Sequence, residues 1–227
     1  MKIGIIVAME KEFVQLRTLL DESTTERQHG KDFVLGKIGD NDIIMQQCGI
    51  GKVNSAVGCV EMIHAYQPDL IISTGVAGGA DVSLNITEVV AGTQYVYHDV
   101  YCGKEVQYGQ LVGMPPRLKT PKELIEKALS VDCGTPVHAG LIVSGDWFVD
   151  SKEKMRDILS YFPEAMAVDM ESGSIAHTCY LYHVPFISFR IISDIPLKDT
   201  DASQYFDFWN RMAEGSFNVT KDFLKKL

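Results

Sequence analysis

A chain of 227 residues with 46% hydrophobic and 22% charged residues predicts one folded domain over residues 1–227 and excludes a disordered protein. The formal net charge is −9 at pH 7, and no run of basic residues exceeds the pair Lys225-Lys226. Because binding to a phosphate backbone needs clustered Lys and Arg, we expect no nucleic-acid partner.

The N-terminal residues 1–10 contain a short apolar run that ends in acid, with no cleavage-like stretch after it. They predict a first buried strand and not a signal peptide. No window approaches the ~20 apolar residues that span a bilayer, so we expect no membrane partner. The five cysteines are scattered and never spaced C-x-x-C, which favours reduced thiols and a cytoplasmic protein. The six histidines match no metal-binding motif.

Apolar runs bounded by turn residues predict strands, most of them buried on both faces. In chain order they are Lys2–Val7, the outer strand Asp32–Ile38, Asp42–Gln47, Leu70–Thr74, Glu88–Tyr97, Val137–Val143, Ala165–Val168 and Pro185–Ile192. Helical patterns are found at Glu10–Leu20, Lys52–Tyr66, Pro121–Leu129, Lys152–Phe162, Ser172–Tyr182 and Tyr205–Leu227. Alternating strands and helices predict a layered α/β fold with a largely parallel or mixed sheet.

Ligands of such sheets bind beyond the carboxyl ends of the strands. Glu12, Gly78, Glu171 and Asp194 each follow a predicted strand, so we expect one cavity to collect them. The segment Asp99–Arg117 is the one long stretch without periodicity. A stretch of this kind is either a functional or interface segment or a plain surface loop.

Two glycine-rich segments resemble nucleotide-binding motifs without matching them. Gly49–Val53 contains the Gly-Lys pair of the phosphate-loop motif G-x-x-x-x-G-K-[ST]. However, Gln46 stands at the position of the first Gly of that motif, and Val53 stands at the position of its Ser or Thr. We interpret it as a strand-to-helix turn whose glycines mainly allow packing. Thr74–Gly79 is not G-x-G-x-x-G and predicts a glycine-rich turn after a strand. Its glycines serve either the turn alone or the close approach of a ligand to the backbone.

Aromatic and charged residues beside predicted strands are the candidates for chemistry. Phe148 is either a core residue or a ring that stacks on a flat ligand, and Asp146 predicts a turn or a helix cap. Arg190 lies inside an apolar run and needs an anionic partner, for which Glu12 or Glu171 would serve.

Two of the acids also have ordinary structural explanations. Glu171 fits a partner of a helix dipole, and Asp194, before Pro196, fits a turn residue. Their combination with Glu12 and Arg190 favours an acid/base site for a polyhydroxylated substrate.

Taken together, these segments resemble the bacterial 5′-methylthioadenosine/S-adenosylhomocysteine nucleosidases of the purine nucleoside phosphorylase superfamily. The resemblance covers nearly the whole chain in the family's order. The segments that carry it are Lys2–Ile6, Ala8–Glu12, Gly49–Val53, Thr74–Gly79, Tyr97–Asp99, Gly140–Asp146, Ala167–Glu171, Arg190–Asp194 and Phe206-Asp207. It implies a three-layer α/β/α fold, nucleoside phosphorylase-like, with a central mixed sheet. It also implies a homodimer with a shared pocket and neither a cofactor nor a metal.

The implied reaction is hydrolysis of the N-glycosidic bond of 5′-methylthioadenosine and S-adenosylhomocysteine, with 5′-deoxyadenosine as a further candidate, to adenine and a thioribose. The resemblance assigns Asp194 as the general acid at adenine N7, Glu12 to the attacking water, and Arg190 to organising the acids and the water. It assigns Glu171 and Met170 to the ribose. The remaining implied contacts are Phe148 on the base, the main chain near Gly78 and Val149, and Met9, Ile50 and Phe206 around the sugar and the alkylthio group.

The chain departs from the family's pattern in three places. Val76 stands where many members have Ser, whose hydroxyl would help to orient the acid. Asp169 replaces a common Glu, and we assign it no role in catalysis. The segment Asp99–Pro116 does not align cleanly, so it identifies no residue that a partner subunit would add to the pocket.

Cleavage of this bond builds positive charge on the ribose, and adenine leaves poorly as an anion. The assigned role therefore requires a proton on Asp194 at neutral pH, where a free aspartic acid is ionised. Desolvation by neighbouring isoleucines, or the base itself, is the expected source. Glu12 must be ionised to take a proton from water, and Arg190 favours that state. Glu171 would accept hydrogen bonds from the ribose hydroxyls, and its charge would favour a cationic transition state.

Three alternatives stay open. A phosphorylase would use phosphate instead of water, although the first loop, residues 8–12, is acidic and repels an anion. An aminofutalosine hydrolase would cleave the same bond in another nucleoside. A non-catalytic nucleoside-binding protein would share the fold, but it would not need Glu12, Glu171, Arg190 and Asp194 together.

Overall fold

A computed structural model describes residues 1–28, 30–198, 203–211 and 217–227. The strands are β1 Lys2–Val7, β2 Ser23–Gln28, β3 Lys31–Ile38, β4 Asn41–Gln47, β5 Leu70–Gly79, β6 Val89–Tyr97, β7 Leu118–Lys119, β8 Val137–Ser144, β9 Ala165–Asp169 and β10 Phe186–Asp194. The helices are α1 Glu10–Arg17, α2 Lys52–Tyr66, α3 Lys122–Leu129, α4 Lys152–Tyr161, α5 Ser172–Tyr182, α6 Ser203–Arg211 and α7 Asn218–Leu224.

The strands form one mixed sheet. β1 lies between β4 and β5 and runs parallel to both, and β3 and β2 continue the sheet outward as antiparallel neighbours. β5 pairs along one side with β10 and, at its last two residues, with β9 on the other side. Because β6 and β8 connect β10 to β9, the strands β5, β10, β6, β8 and β9 close into a ring.

Helices cover both faces of this sheet. Ile3 and Ile5 of β1 pack in one apolar cluster with α1, α3, α6 and α7, whereas Ile6 points the other way into a cluster with α2 and α5. Both faces of the strand are therefore buried, which explains its continuous apolar sequence. The result is the predicted three-layer α/β/α fold with a central mixed sheet.

Of two predicted features near the site, one differs from the structure and one agrees with it. Thr74–Gly79 is not a turn but the second half of β5, where it stays paired with β10 as far as Gly78. The segment 99–117, in contrast, contains neither helix nor strand, as its lack of periodicity predicts.

The predictions also missed β7, which has only two residues. β2 was not predicted, because its residues are polar, largely exposed and without alternation at the edge of the sheet. The single predicted helix Tyr205–Leu227 is wrong, since α6 and α7 are separate helices and Phe217 is a turn residue. Residues 212–216, between them, lie outside the described residues. No helix in the described ranges is long and apolar enough to cross a bilayer.

Candidate active site

The carboxyl ends of several strands meet around one cavity, as expected for an α/β sheet. Its wall includes Met9, two residues after the end of β1, together with Gly78 of β5, Asp169 of β9 and Asp194 of β10. Of the residues proposed from sequence, the cavity is lined by Met9, Glu12, Ile50, Gly78, Phe148, Val149, Met170, Glu171 and Asp194. The structure thus brings three acids from distant parts of the chain to one space.

Three aromatic residues, Trp147, Phe148 and Tyr205, form an aromatic wall of the cavity. Phe148 is 44% exposed and meets the ring of Tyr205 edge-on, with 5.1 Å between ring centroids. The Tyr205 hydroxyl lies 3.8 Å from Sδ of Met9. Trp147, which is half exposed, also lines the cavity.

Phe206 is the one proposed substrate contact that lies outside this lining. It is 60% exposed and touches Tyr205, at 5.5 Å between ring centroids. Tyr205 takes the place at the cavity expected for Phe206. Sequence reasoning missed Tyr205 and Trp147, although they directly precede Phe206 and Phe148, which it proposed. Which of two adjacent aromatic side chains faces the cavity depends on how the backbone is turned at that point, and the sequence does not show this.

Glu12 is held by backbone amides in the wall of the cavity. It is 2% exposed, and its Oε1 accepts a hydrogen bond from the N–H of Val76 at 2.9 Å, while Oε2 accepts one from Met9 at 3.0 Å. Burial raises the pKa of Glu12, although these amides and the charge of Arg190 oppose the rise. A raised pKa makes the ionised carboxylate a stronger proton acceptor.

Arg190 is 1% exposed and forms an ion pair with Asp169. We had predicted Glu12 or Glu171 as its partner. Nε lies 2.6 Å from Oδ2 of Asp169, and Nη2 donates to Oγ of Ser73 at 2.7 Å. The prediction was wrong because Asp169, at the end of β9, is the acid that lies within ion-pair distance of Nε, and the sequence does not show this distance. Within the described ranges, Nη1 donates to no protein group.

The missing side chain of Gly75 brings Nη1 of Arg190 close to Glu12. A Cβ atom on Gly75 would lie 2.6 Å from Nη1 and 2.6 Å from Oε1 of Glu12. Both distances are shorter than real Cβ contacts, so any side chain here would displace one of the two groups. The glycine in the middle of β5 thus allows the guanidinium and the carboxylate to share the same face of the strand.

Glu171 immediately precedes α5 and links it to α2. Its Oε1 accepts a hydrogen bond from the N–H of Gly51 at 2.9 Å. Gly51 has a φ of 94°, a backbone conformation that favours glycine, so this glycine does more than allow packing. Burial, reinforced by the negative charge of Asp169, raises the pKa of Glu171 to about 7.

Asp194 ends β10 and is 4% exposed, between the buried Ile192 and Ile195. Its Oδ1 lies 2.6 Å from Oγ of Ser193, which donates a hydrogen bond to it. The preceding residue thus supplies a hydroxyl that orients this acid, whereas Val76 has none to offer.

The mouth of the cavity is tied to the N-terminus of α2. Asp146 accepts a hydrogen bond from the N–H of Lys52 at 2.7 Å and so caps this helix, one of its two predicted roles. Lys52 Nζ in turn lies 2.7 Å from Oδ2 of Asp99, which also accepts a bond from the N–H of Asp146 at 2.8 Å. These contacts anchor the start of the segment 99–117 beside the site.

Known proteins are similar to this chain over nearly its whole length. The sequence model of the phosphorylase superfamily matches residues 2–225. A 5′-methylthioadenosine/S-adenosylhomocysteine nucleosidase of Exiguobacterium is 39% identical over 211 residues, 91% of this chain and 90% of the relative.

Solved structures are also similar. The nucleosidase of the same name from S. pneumoniae, bound to the transition-state inhibitor MT-ImmA, has a TM-score of 0.91 at 31% identity and covers 99% of each chain. A futalosine hydrolase of Helicobacter pylori has a TM-score of 0.91 at 29% identity, over 100% of this chain and 98% of that chain.

The full-length match in sequence extends through every strand and helix that builds the cavity. This chain accordingly belongs to the phosphorylase superfamily and, within it, to the 5′-methylthioadenosine/S-adenosylhomocysteine nucleosidases, which are N-glycosyl hydrolases.

Proposed function

We propose that this chain cleaves the N-glycosidic bond of 5′-methylthioadenosine and S-adenosylhomocysteine with water, with 5′-deoxyadenosine as a further candidate substrate. The products are adenine and the thioribose, or deoxyribose for the last substrate. The observation that carries this proposal is the convergence of Glu12, Glu171 and Asp194 on one cavity beside the buried Arg190.

The base would lie between the aromatic wall and β10. Phe148 is exposed enough to stack on a purine, and Asp194 is the acid for N7. The bond from Ser193 fixes the plane of the Asp194 carboxyl, and the neighbouring isoleucines desolvate it. Protonated at N7, adenine departs as a neutral molecule.

The attacking water would be bound between Glu12 and Nη1 of Arg190. Nη1 donates a hydrogen bond to the water oxygen, and Glu12 accepts a water proton as the oxygen bonds to C1′. The protons balance, because Asp194 supplies one to the base and Glu12 takes one from water. The amides of Val76 and Met9 hold Glu12 in place for this step.

The ribose would lie against Glu171 and Met170. A carboxylate accepts hydrogen bonds from neighbouring hydroxyls, and these bonds favour its ionised form. With a pKa of about 7 before substrate binds, Glu171 is easily moved to that form. Its negative charge then stabilises the positive charge that develops on the sugar.

The first prediction tests whether water or phosphate is the nucleophile. We expect adenine release from 5′-methylthioadenosine at full rate in phosphate-free buffer. Among the described residues, the cavity lining contains four acids and no Lys or Arg, and the guanidinium beside it, that of Arg190, is already paired with Asp169. Chromatography of the sugar product is the measurement. A rate that depends on phosphate, with a sugar 1-phosphate as product, would show phosphorolysis. Faster cleavage of aminofutalosine than of 5′-methylthioadenosine in parallel assays would favour an aminofutalosine hydrolase.

The second prediction concerns the two proton-transfer residues. Glu12→Gln and Asp194→Asn should each lower kcat by at least ~10²-fold, since each change removes a group that accepts or donates a proton. The matched control for Glu12 is Glu10→Gln, which neutralises an exposed acid on the same turn of α1 and should keep normal turnover. Near-normal kcat in a folded Glu12 or Asp194 variant would remove that residue from its role.

The third prediction tests the crowding at Gly75. Gly75→Ala should lower kcat by at least about tenfold, because the added methyl group must move Arg190 or Glu12 away from the proposed water site. Steady-state kinetics measure the effect, and thermal unfolding shows whether the variant folds. Unchanged kcat in a folded variant would contradict the close approach of the two side chains.

A homodimer is part of the same proposal. Val53 and Val57 lie one turn apart on α2 and are exposed, at 73% and 44%, and Ile50 precedes them at the cavity. A second copy covering this apolar strip would also close the side of the cavity at Ile50. The scattered cysteines and the nucleoside substrates support a reaction in the cytoplasm.

The fourth prediction tests this interface. We expect the wild-type protein to sediment as a dimer and Val53→Glu to sediment as a monomer, because a carboxylate would be buried without a partner. Val14→Glu is the matched control, since Val14 is 55% exposed on a different helix, α1. A monomeric wild-type protein, or a Val53→Glu variant that stays dimeric, would contradict the proposed face.

A further inference from the structure

The buried carboxylate of Asp169 has no assigned role in the reaction. It ends β9, and its side chain is 2% exposed, as is expected of an acid only when it is paired. Its partner is Arg190, whose Nε lies 2.6 Å from Oδ2 of Asp169. Although Asp169 is part of the cavity lining, its carboxylate is engaged by the protein.

Asp169 accepts hydrogen bonds from two further side chains and one amide. Ser172 donates to Oδ2 from its hydroxyl at 2.5 Å and from its N–H at 3.1 Å. The hydroxyl of Ser144 donates to Oδ1 at 2.5 Å and itself accepts a bond from the N–H of Gly173 at 3.0 Å. Because both oxygens are occupied, the carboxylate is held in one orientation.

Ser172 connects the acid to the guanidinium. Its Oγ lies 3.0 Å from Nε of Arg190 and 2.7 Å from Oγ of Ser188. The single hydroxyl proton of Ser172 goes to the carboxylate, which can only accept, so Nε and the Ser188 hydroxyl both donate to Ser172. The directions of these bonds are thereby fixed.

These contacts leave Arg190 a single orientation. Nε is tied to Asp169 and Ser172, and Nη2 is tied to Ser73, which directs Nη1 toward Gly75 and Glu12. We propose that Asp169 and Ser172 are positioning residues that act through Arg190, by holding its guanidinium so that Nη1 faces the attacking water. This inference depends on the proposed function of the site.

A structural role of Asp169 has to be separated from this one. The bond from the N–H of Ser172 also caps the start of α5, and loss of a cap alone lowers stability without changing chemistry. Asparagine keeps a cap oxygen for the amide of Ser172 but loses the charge that pairs with Arg190. Asp169→Asn therefore removes the ion pair with Arg190 and keeps the cap.

The experiment compares this variant with the wild-type protein on 5′-methylthioadenosine in phosphate-free buffer. We expect kcat of Asp169→Asn to fall at least about tenfold while KM changes less than about threefold, because a misplaced water affects the chemical step and not the binding of base and ribose. Ser172→Ala, which keeps the ion pair, should show a smaller loss. Thr178→Val is the matched control, as it removes a buried hydroxyl of α5 that bonds only to the backbone of its own helix.

A rescue variant distinguishes positioning from damage to the fold. In the double variant Asp169→Glu with Ser172→Ala, a longer carboxylate can enter the space of the Ser172 hydroxyl and reach Nε directly. We expect it to recover most of the kcat lost in Asp169→Asn. Normal kcat in a folded Asp169→Asn variant would overturn the inference, and so would a loss expressed only in KM or in stability. Absence of adenine release from the wild-type protein would instead overturn the proposed function.

Discussion

The site depends on one guanidinium that is buried among acids. Arg190 lies near Glu12, Asp169 and Glu171, and all four side chains are withdrawn from water. One positive charge cannot neutralise three carboxylates, and desolvation makes each unpaired charge costly. The consequence is visible in the raised pKa values of Glu12 and Glu171. A raised pKa makes an ionised carboxylate a stronger proton acceptor, which suits it to proton transfer.

Backbone amides also stabilise these buried carboxylates by hydrogen bonds. Amides of Val76 and Met9 bind Glu12, the amide of Gly51 binds Glu171, and the amide of Ser172 binds Asp169. Several of these amides belong to the first turns of helices, where N–H groups lack partners inside the helix and favour negative charge. The strand-to-helix connections of the fold therefore position the acids, and this explains why residues far apart in sequence meet with defined geometry.

Much of this arrangement could be predicted from sequence, for a physical reason. Strands buried on both faces leave continuous apolar runs, and their carboxyl ends mark where Glu12, Glu171 and Asp194 must gather. The partner of Arg190 could not be predicted in this way. All the nearby acids follow predicted strands, and the choice of Asp169 depends on the distance of each carboxylate from Nε of Arg190, which only the folded arrangement of β9 and β10 sets.

The orientation of a helix about its axis limits the prediction of site residues in a similar way at Tyr205 and Phe206. Both residues are aromatic and belong to α6, and only the rotation of that helix against the cavity decides that Tyr205 lies inside and Phe206 outside. The glycines of Thr74–Gly79 were interpreted as a turn for a related reason. Their sequence indicates conformational freedom, whereas the structure uses Gly75 for the space that it leaves to Arg190 and Glu12.

The same charge distribution bears on the choice of nucleophile. A phosphate dianion placed beside Glu12 and Glu171 would be repelled by both, and the one guanidinium nearby already has an ion pair with Asp169. Water carries no charge, and it can donate to Glu12 while it accepts from Nη1. A cationic sugar, in turn, is attracted by the acids that repel phosphate. The negative surroundings of Arg190 thus disfavour phosphorolysis and favour hydrolysis at once, with no separate element of structure needed for either.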